Sequence, residues 1–186
     1  MENPDYAQRL SFPESTTASN GLARRMGNKM IIGNPYQIAI QVEQIDVLCS
    51  PSGIFNFIIN DILIPGKGVT INLYIVISSL KESLEAGLKE IHDDIGDIPL
   101  DKLFFSEGAP EHLISLDVAE LYDYGCNFWL GFDGSEERLI YSLDFEKSYN
   151  ENRFPRGTIE KLIKTLPVTD TLIMDKFNDI IVTRIN

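Results

Sequence analysis

The side chains best suited to metal binding lie in a short acidic stretch of the chain. His92 is followed directly by Asp93 and Asp94, and imidazole and carboxylate groups are ordinary zinc ligands. A structural zinc site needs four closely spaced ligands, whereas His112, the other histidine, lies twenty residues further on. The acids also miss the spacing of a calcium-binding loop. We therefore predict no metal site and no cofactor, and we interpret both histidines as surface residues.

The sequence motifs of catalysis are absent or incomplete. Gly66-Lys67-Gly68 resembles part of a phosphate-binding loop, but Asp61 stands at the position of that motif's first glycine, and Gly68 at that of its serine or threonine. A hairpin turn is the better interpretation. No Gly-x-Ser-x-Gly nucleophile elbow occurs. Paired carboxylates serve some hydrolases, but in so acidic a chain such a pairing is uninformative, and we predict that the chain is not an enzyme.

Acidic residues are concentrated in one region. Residues 85–123 contain eleven acids against Lys89 and Lys102, a net charge of −9, whereas residues 30–186 as a whole carry −13. Two interpretations stay open: a solvated region kept soluble by like charge, or a docking surface whose negative field steers a basic protein. Aromatic residues nearby (Tyr124, Phe104, Phe105) would supply apolar anchors or belong to the core. The candidate partner-binding residues are Asp93, Asp94, Asp97, Asp101, Glu107, Glu111, Asp117, Glu120, Tyr122 and Asp123.

The overall composition narrows the class of partner. The 186 residues are 44% hydrophobic and 24% charged, which is typical of a globular protein, and the formal net charge is −12. That charge argues against binding to nucleic acid, whose phosphates require Lys and Arg, and against an anionic membrane. The sequence shows neither a membrane-spanning apolar run nor a signal peptide, which predicts a cytoplasmic protein. Cys49 and Cys126 adjoin apolar residues, and we expect reduced, packed thiols.

The stretch Cys126–Asp144 predicts a β-hairpin. Phe128, Leu130 and Phe132 alternate with other residues on its first arm, and the return arm repeats the pattern. A period of two directs one face of the hairpin to a core. Asp133-Gly134 provides the turn, because glycine tolerates positive φ.

The other elements follow from the same periodicities. Thr158 is the predicted N-cap of a helix that Pro167 ends. We expect loops at 93–110, with Leu103–Phe105 entering the core, and at 145–154. Strands are predicted at 30–42, 54–59, 62–64, 69–74, 113–116 and 180–182, helices at 78–91 and 158–166, and a helical turn at 117–122 closed by Gly125.

This order of elements predicts an α+β fold. Short turns between the early strands imply an antiparallel meander, and the helices are interspersed without strict alternation. We expect a mostly antiparallel sheet with two or three helices packed on it. Residues 1–29 are polar and aperiodic and are predicted to be a flexible arm or extension, with a single domain at 30–186.

Several segments resemble the immunity protein 42 family of bacterial polymorphic toxin systems. The most distinctive is the opening Met30–Ile40, with its Gly33-Asn34-Pro35-Tyr36. The resemblance implies a small cytoplasmic protein that binds and blocks a cognate toxin, without catalysis and without fixed active-site residues. The further segments are Gly53–Asn60, Asp123-Tyr124-Gly125 before the Asp133-Gly134 turn, and Gly157-Thr158-Ile159.

Three functions follow from these observations. The first is a toxin-neutralising immunity protein that occludes its toxin, whose surface we expect to be basic, through the acidic region 85–123. The second is a small carboxylate-using hydrolase, which requires a deep pocket lined by at least two acids with raised pKa. The third is a protein-interaction domain with another partner.

Overall fold

The described residues of the computed structural model form three antiparallel sheets, of six, four and two strands, and two α-helices. The structure describes residues 24–26, 29–45, 51–66, 68–90, 93–103, 112–168, 172–177 and 180–185. The expected α+β class and single domain are confirmed. The strands are β1 (Arg24–Met26), β2 (Lys29–Asn34), β3 (Ile38–Gln44), β4 (Ser52–Ile59), β5 (Ile62–Ile64), β6 (Ile71–Asn72), β7 (Ile114–Leu116), β8 (Asn127–Asp133), β9 (Glu136–Ser142), β10 (Asn150–Pro155), β11 (Leu172–Phe177) and β12 (Ile180–Ile185). The helices are α1 (Leu73–Lys89) and α2 (Thr158–Lys164), with 3₁₀ helices at Leu100–Lys102 and Ala119–Tyr124.

The first sheet has the order β1-β2-β3-β4-β5, with β6 also pairing with β4. The predicted meander of strands at 54–59 and 62–64 is confirmed. The prediction of one strand through 30–42 is wrong, because the chain reverses between β2 and β3. Pro35 begins the reversal, and Gln37 donates its N–H to the Asn34 carbonyl at 3.0 Å to close it.

Helix α1 begins five residues earlier than predicted. The Asn72 side chain accepts hydrogen bonds from the N–H groups of Tyr74 and Ile75, which is the contact expected of an N-cap. The predicted strand at 69–74 therefore shrinks to β6. Val76 and Ile77 of α1 are β-branched. They are helical because both are fully buried in the core, and that burial outweighs their preference for strands.

The second sheet has the order β10-β9-β8-β7 and contains the predicted hairpin. Both faces of the hairpin are covered: Phe128 and Leu130 enter the main core, while Trp129 and Ile140 form a smaller cluster on the opposite face. The predicted loop at 145–154 is wrong in its second half, because β10 pairs with β9 there. This outer strand is polar, so the apolar alternation that reveals a half-buried strand is missing from its sequence.

Helix α2 lies where it was predicted, but its cap differs. Gly157 occupies the N-cap position with φ +88°, and Thr158 instead donates its hydroxyl to the Pro155 carbonyl at 2.6 Å. A side chain of β9 stabilises the start of the helix: the Glu137 carboxylate accepts the Gly157 N–H at 2.9 Å and also the Ile159 N–H. Burial raises the pKa of the Glu137 carboxyl, and these two backbone donors oppose that rise.

The first and second sheets and both helices share one hydrophobic core. Phe57 of β4 and Phe128 of β8 meet with ring centroids 4.4 Å apart, which joins the sheets directly. Leu84 of α1 and Ile163 of α2 belong to the same cluster. Leu103 is half-buried against the smaller cluster, as expected, whereas its predicted neighbours at 104–105 lie outside the described residues.

The ends of the chain are described in part. Within the predicted arm, β1 pairs with β2, and the rest of residues 1–28 lies outside the described part of the chain. The division of the chain at residue 30 stays a prediction. The predicted closing strand at 180–182 is confirmed as part of β12, which pairs with β11 and contacts β3.

Arg138 of β9 is fully buried and anchors the segment before the first 3₁₀ helix. Its guanidinium donates to the carbonyls of Gly96 and Ile98 at 2.7 and 2.8 Å, and forms two bonds to the Glu151 carboxylate at 2.9 and 2.7 Å. Burial alone would raise the pKa of Glu151, but Arg138 and Arg153 outweigh that effect, and the pKa is lowered. The guanidinium thus joins β9, β10 and the 96–98 segment.

Replacing Arg138 should therefore destabilise the protein strongly. We expect Arg138→Ala to lower the free energy of unfolding by about 3–5 kcal/mol, because it leaves a half-buried carboxylate and two carbonyls without their donor. Arg153→Ala is the matched control, since Arg153 is one-third exposed and its ion pairs face solvent; we expect a loss of about 1 kcal/mol or less there. Urea denaturation measures both, and equal losses would contradict the anchoring role of Arg138.

Candidate partner-binding surface

The predicted acidic residues lie in two groups at opposite ends of β8. One group precedes β8 and follows β7, and the other lies beside the β8–β9 turn, where Ile95 donates its N–H to the Phe132 carbonyl at 2.8 Å. The six residue steps of β8 separate the groups by about 20 Å at 3.3 Å per step. The acidic region is therefore two surfaces, which we call the turn group (Asp93, Asp94, Asp97, Asp101) and the helix group (Asp117, Glu120, Asp123).

The turn group is largely engaged in holding the fold. Asp94 accepts the Gly134 N–H at 2.8 Å and pairs with Arg156 at 3.2 Å. Asp97 pairs with Arg153 at 2.5 Å. Asp93 and Asp101 are exposed. Because two of its four charges face an arginine, this group presents a weaker negative field than its composition suggests.

The helix group lies along α1. Asp117, just before the 3₁₀ helix Ala119–Tyr124, donates its N–H to the Ser83 hydroxyl in the second half of α1 at 2.9 Å, and Glu120 within the 3₁₀ helix accepts the N–H of Asn72, the N-cap of α1, at 2.6 Å. Asp117 and Asp123 are exposed. Gly125 ends the 3₁₀ helix with φ +84°, which confirms the predicted helical turn and its closure. Glu107 and Glu111, the remaining predicted acids, lie outside the described residues.

Four exposed aromatic side chains accompany the helix group. Tyr74, Tyr122, Tyr124 and Phe145 are between 45% and 56% exposed, and we call them the aromatic surface. Sequence reasoning singled out Tyr122 and Tyr124 but missed the other two. Tyr74 was assigned to a strand, although Asn72 as an N-cap signals a helix whose first turn contains it. Phe145 was placed in an undefined loop, and no pattern in its sequence marks it.

A short loop after β9 holds Phe145 in place. Phe145 and Glu146 both have positive φ, +60° and +63°, a conformation that costs roughly 1–3 kcal/mol per non-glycine residue. The Asp144 carboxylate offsets this cost by accepting the N–H groups of Lys147 and Ser148 and the Ser148 hydroxyl at 2.7–3.1 Å. These hydrogen bonds, led by the Ser148 hydroxyl, lower the pKa of Asp144 from 3.8 to about 2.

The clefts among the described residues do not bring together side chains suited to catalysis or metal binding. The cleft between α1, β8 and α2 has a volume of about 270 Å³, and its buried acid, Glu137, is engaged with the start of α2. No three His, Cys, Asp or Glu side chains in the described ranges lie close enough to hold a metal ion. His112 is exposed, and His92 lies outside those ranges.

Cys126 is a packed, reduced thiol, as expected. It is free and buried, and burial raises its pKa to about 11, so it stays protonated at neutral pH. Cys49 lies outside the described residues.

A comparison with protein families decides the classification. The model of immunity protein 42 matches residues 30–168, which is most of the chain. The chain belongs to the immunity protein 42 family. The family resemblance inferred from Met30–Ile40 and the later segments is thereby confirmed.

Membership of this family also bears on whether the protein is an enzyme. Immunity protein families are non-enzymatic binders of toxins, so the prediction that this immunity protein family member is not an enzyme is confirmed. No curated protein matches the chain. Among solved structures, the crystal structure of CdiI from Burkholderia dolosa AUO158 is similar, with 14% identity and a TM-score of 0.48, covering 73% of this chain and 96% of that one. Within the described residues, no helix is long and apolar enough to cross a membrane.

The lowered pKa of Asp144 predicts how the loop responds to acid. A depressed pKa means that the contribution of this carboxylate to stability is complete above about pH 4 and is lost as the pH falls through about 2. NMR titration of the side-chain carboxyl carbon should give a midpoint near 2. An Asp144 midpoint near the ordinary 3.8 would contradict the hydrogen bonding described for this loop.

Proposed function

We propose that this protein is a cytoplasmic immunity protein that binds a cognate toxin domain and neutralises it by occluding the toxin's surface. The observation that carries the proposal is the family match over residues 30–168. The description of the family supplies the class of partner. The arrangement of the described residues supports a mechanism by contact, because the helix group and the aromatic surface expose carboxylates and rings on a rigid framework.

Charge supports a basic toxin surface as the partner. The net charge of −12 and the concentration of acids in residues 85–123 produce a negative field that accelerates encounter with a Lys- and Arg-rich surface. The nine acids among the ten predicted partner-binding residues stay part of this proposal as a source of that field, and Tyr122 stays part of it as a contact residue. Electrostatic steering acts over about a Debye length, roughly 8–10 Å at physiological salt, so residues outside the contact also contribute.

A rigid binding face favours tight occlusion. The segment that contains the 3₁₀ helix is hydrogen-bonded to Ser83 of α1 through Asp117 and to the N-cap Asn72 through Glu120, and the Phe145 loop is fixed by Asp144. Side chains that are already ordered lose less conformational entropy on binding, which leaves more of the interaction energy as affinity. Covering the active surface of the toxin then requires no chemistry from the immunity protein.

Co-expression tests the proposal directly. The protein encoded by the adjacent gene is expected to be toxic when induced alone and harmless when this chain is expressed with it, and the two should co-purify. Arg138→Ala, which should deplete the folded protein, is the matched variant expected to lose protection. A harmless neighbour, or protection without a complex, would refute neutralisation by binding.

Neutralising exposed acids should slow association with the toxin. We expect the double variant Asp93→Asn/Asp101→Asn to lower the association rate about two- to fivefold at low salt, with the difference vanishing at high salt. Asp61→Asn/Glu82→Gln removes the same charge from exposed positions outside residues 85–123 and is the control. Stopped-flow fluorescence measures both rates, and equal effects of the two variants would show that the acidic region has no special role in steering.

A further inference from the structure

We propose that the aromatic surface, Tyr74, Tyr122, Tyr124 and Phe145, is the contact face for a cationic surface of the toxin domain, while the turn group contributes only to encounter. This inference rests on the proposed function and assigns the contact to one of the two ends of β8. Four observations support it.

The aromatic side chains come from segments that hydrogen bonds join at one end of the molecule. Glu120 accepts the Asn72 N–H at 2.6 Å, which places the 3₁₀ helix with Tyr122 and Tyr124 against the first turn of α1 and its Tyr74. On the other side, Phe145 donates its N–H to the Gly125 carbonyl at 3.2 Å, directly after Tyr124. Three segments far apart in sequence thus adjoin at one end of the molecule.

The four rings are exposed to solvent, whereas the residues beside them fill the core. The 3₁₀ helix buries Leu121 completely and exposes Tyr122 and Tyr124, which follow it, and α1 buries Leu73 while exposing Tyr74 and Ile75. Tyrosine is enriched among the residues that carry most of the energy of protein interfaces. Clustered exposed apolar side chains with a polar rim mark interaction sites on soluble proteins.

The charge around the rings identifies the chemistry of the occupant. The segments 72–75, 117–125 and 143–149 carry five acids and a single cation, Lys147. Arginine and lysine side chains bind both to the faces of aromatic rings and to carboxylates. Tyrosine rings interspersed with acids, such as Asp123 between Tyr122 and Tyr124, therefore fit a surface rich in Arg and Lys.

A second exposed apolar region is less suited to such a partner. Tyr36, which is 76% exposed, and Ile62 lie at the turns beside the far end of β4, whereas β6 and α1 begin at its near end. The seven steps between the ends of β4 span about 23 Å at 3.3 Å per step. Asp61 is the one acid in residues 34–37 and 60–66, and the neighbouring cleft is lined in part by Lys161.

Alanine variants of matched tyrosines test the assignment. With the toxin domain encoded by the adjacent gene as the probe, we expect Tyr122→Ala and Tyr124→Ala each to raise Kd about tenfold or more, chiefly through faster dissociation, in biolayer interferometry. Tyr36→Ala, an equally truncated exposed tyrosine at the far end of the first sheet, should leave Kd within about twofold. Asp123→Lys, which changes an exposed side chain and leaves the core intact, should weaken binding in the same direction.

The outcomes separate the two proposals. If the wild-type chain does not bind the toxin, the proposed function fails. If the wild type binds and Tyr36→Ala weakens the complex while the Tyr122, Tyr124 and Asp123 variants do not, the function stands and the aromatic surface is overturned as the contact face. Thermal unfolding of each variant identifies a loss of folding, and in that case the Asp123→Lys result decides.

Discussion

Two adjacent buried charges on β9, Glu137 and Arg138, hold the second half of the fold together. They point to opposite faces of one strand, as neighbouring strand residues must. Burying charge is costly unless each ion receives several hydrogen bonds, and both do: Glu137 accepts the first N–H groups of α2, and Arg138 binds Glu151 and two carbonyls of the 96–98 segment. The strand therefore positions a helix on one side and the turn group on the other.

The contacts of Glu137 illustrate which parts of the fold can be predicted from the sequence and which cannot. The hairpin around Asp133-Gly134 and the strands at 54–59 and 62–64 are local patterns, in which period, turn chemistry and pairing partner are all near neighbours. The cap of α2 and the strand β10 depend on residues many positions away, since Glu137 reaches Gly157 and β10 is recognisable only by its pairing with β9. Periodicity carries no information about such contacts.

The candidate site likewise contains residues that the sequence reveals and residues that only the fold brings together. Composition alone located the acidic region, and Tyr122 and Tyr124 were found because they lie within it or directly after it. Tyr74 lies 11 residues before the region and Phe145 lies 22 after it, and the hydrogen bonds of Asn72 and Gly125 bring their segments beside it. Composition also treats every acid alike, whereas the fold gives Asp94 and Asp97 arginine partners and leaves Asp117 and Asp123 facing solvent.

The polar sequence of β10 has a consequence for the behaviour of the free protein at high concentration. In the described sheet, β10 is an outermost strand, and its outward backbone groups could pair with an edge strand of another copy. Arg153 places a charge on that strand, and Pro155 removes one donor from its edge. Pairing of two copies through this edge is thereby discouraged.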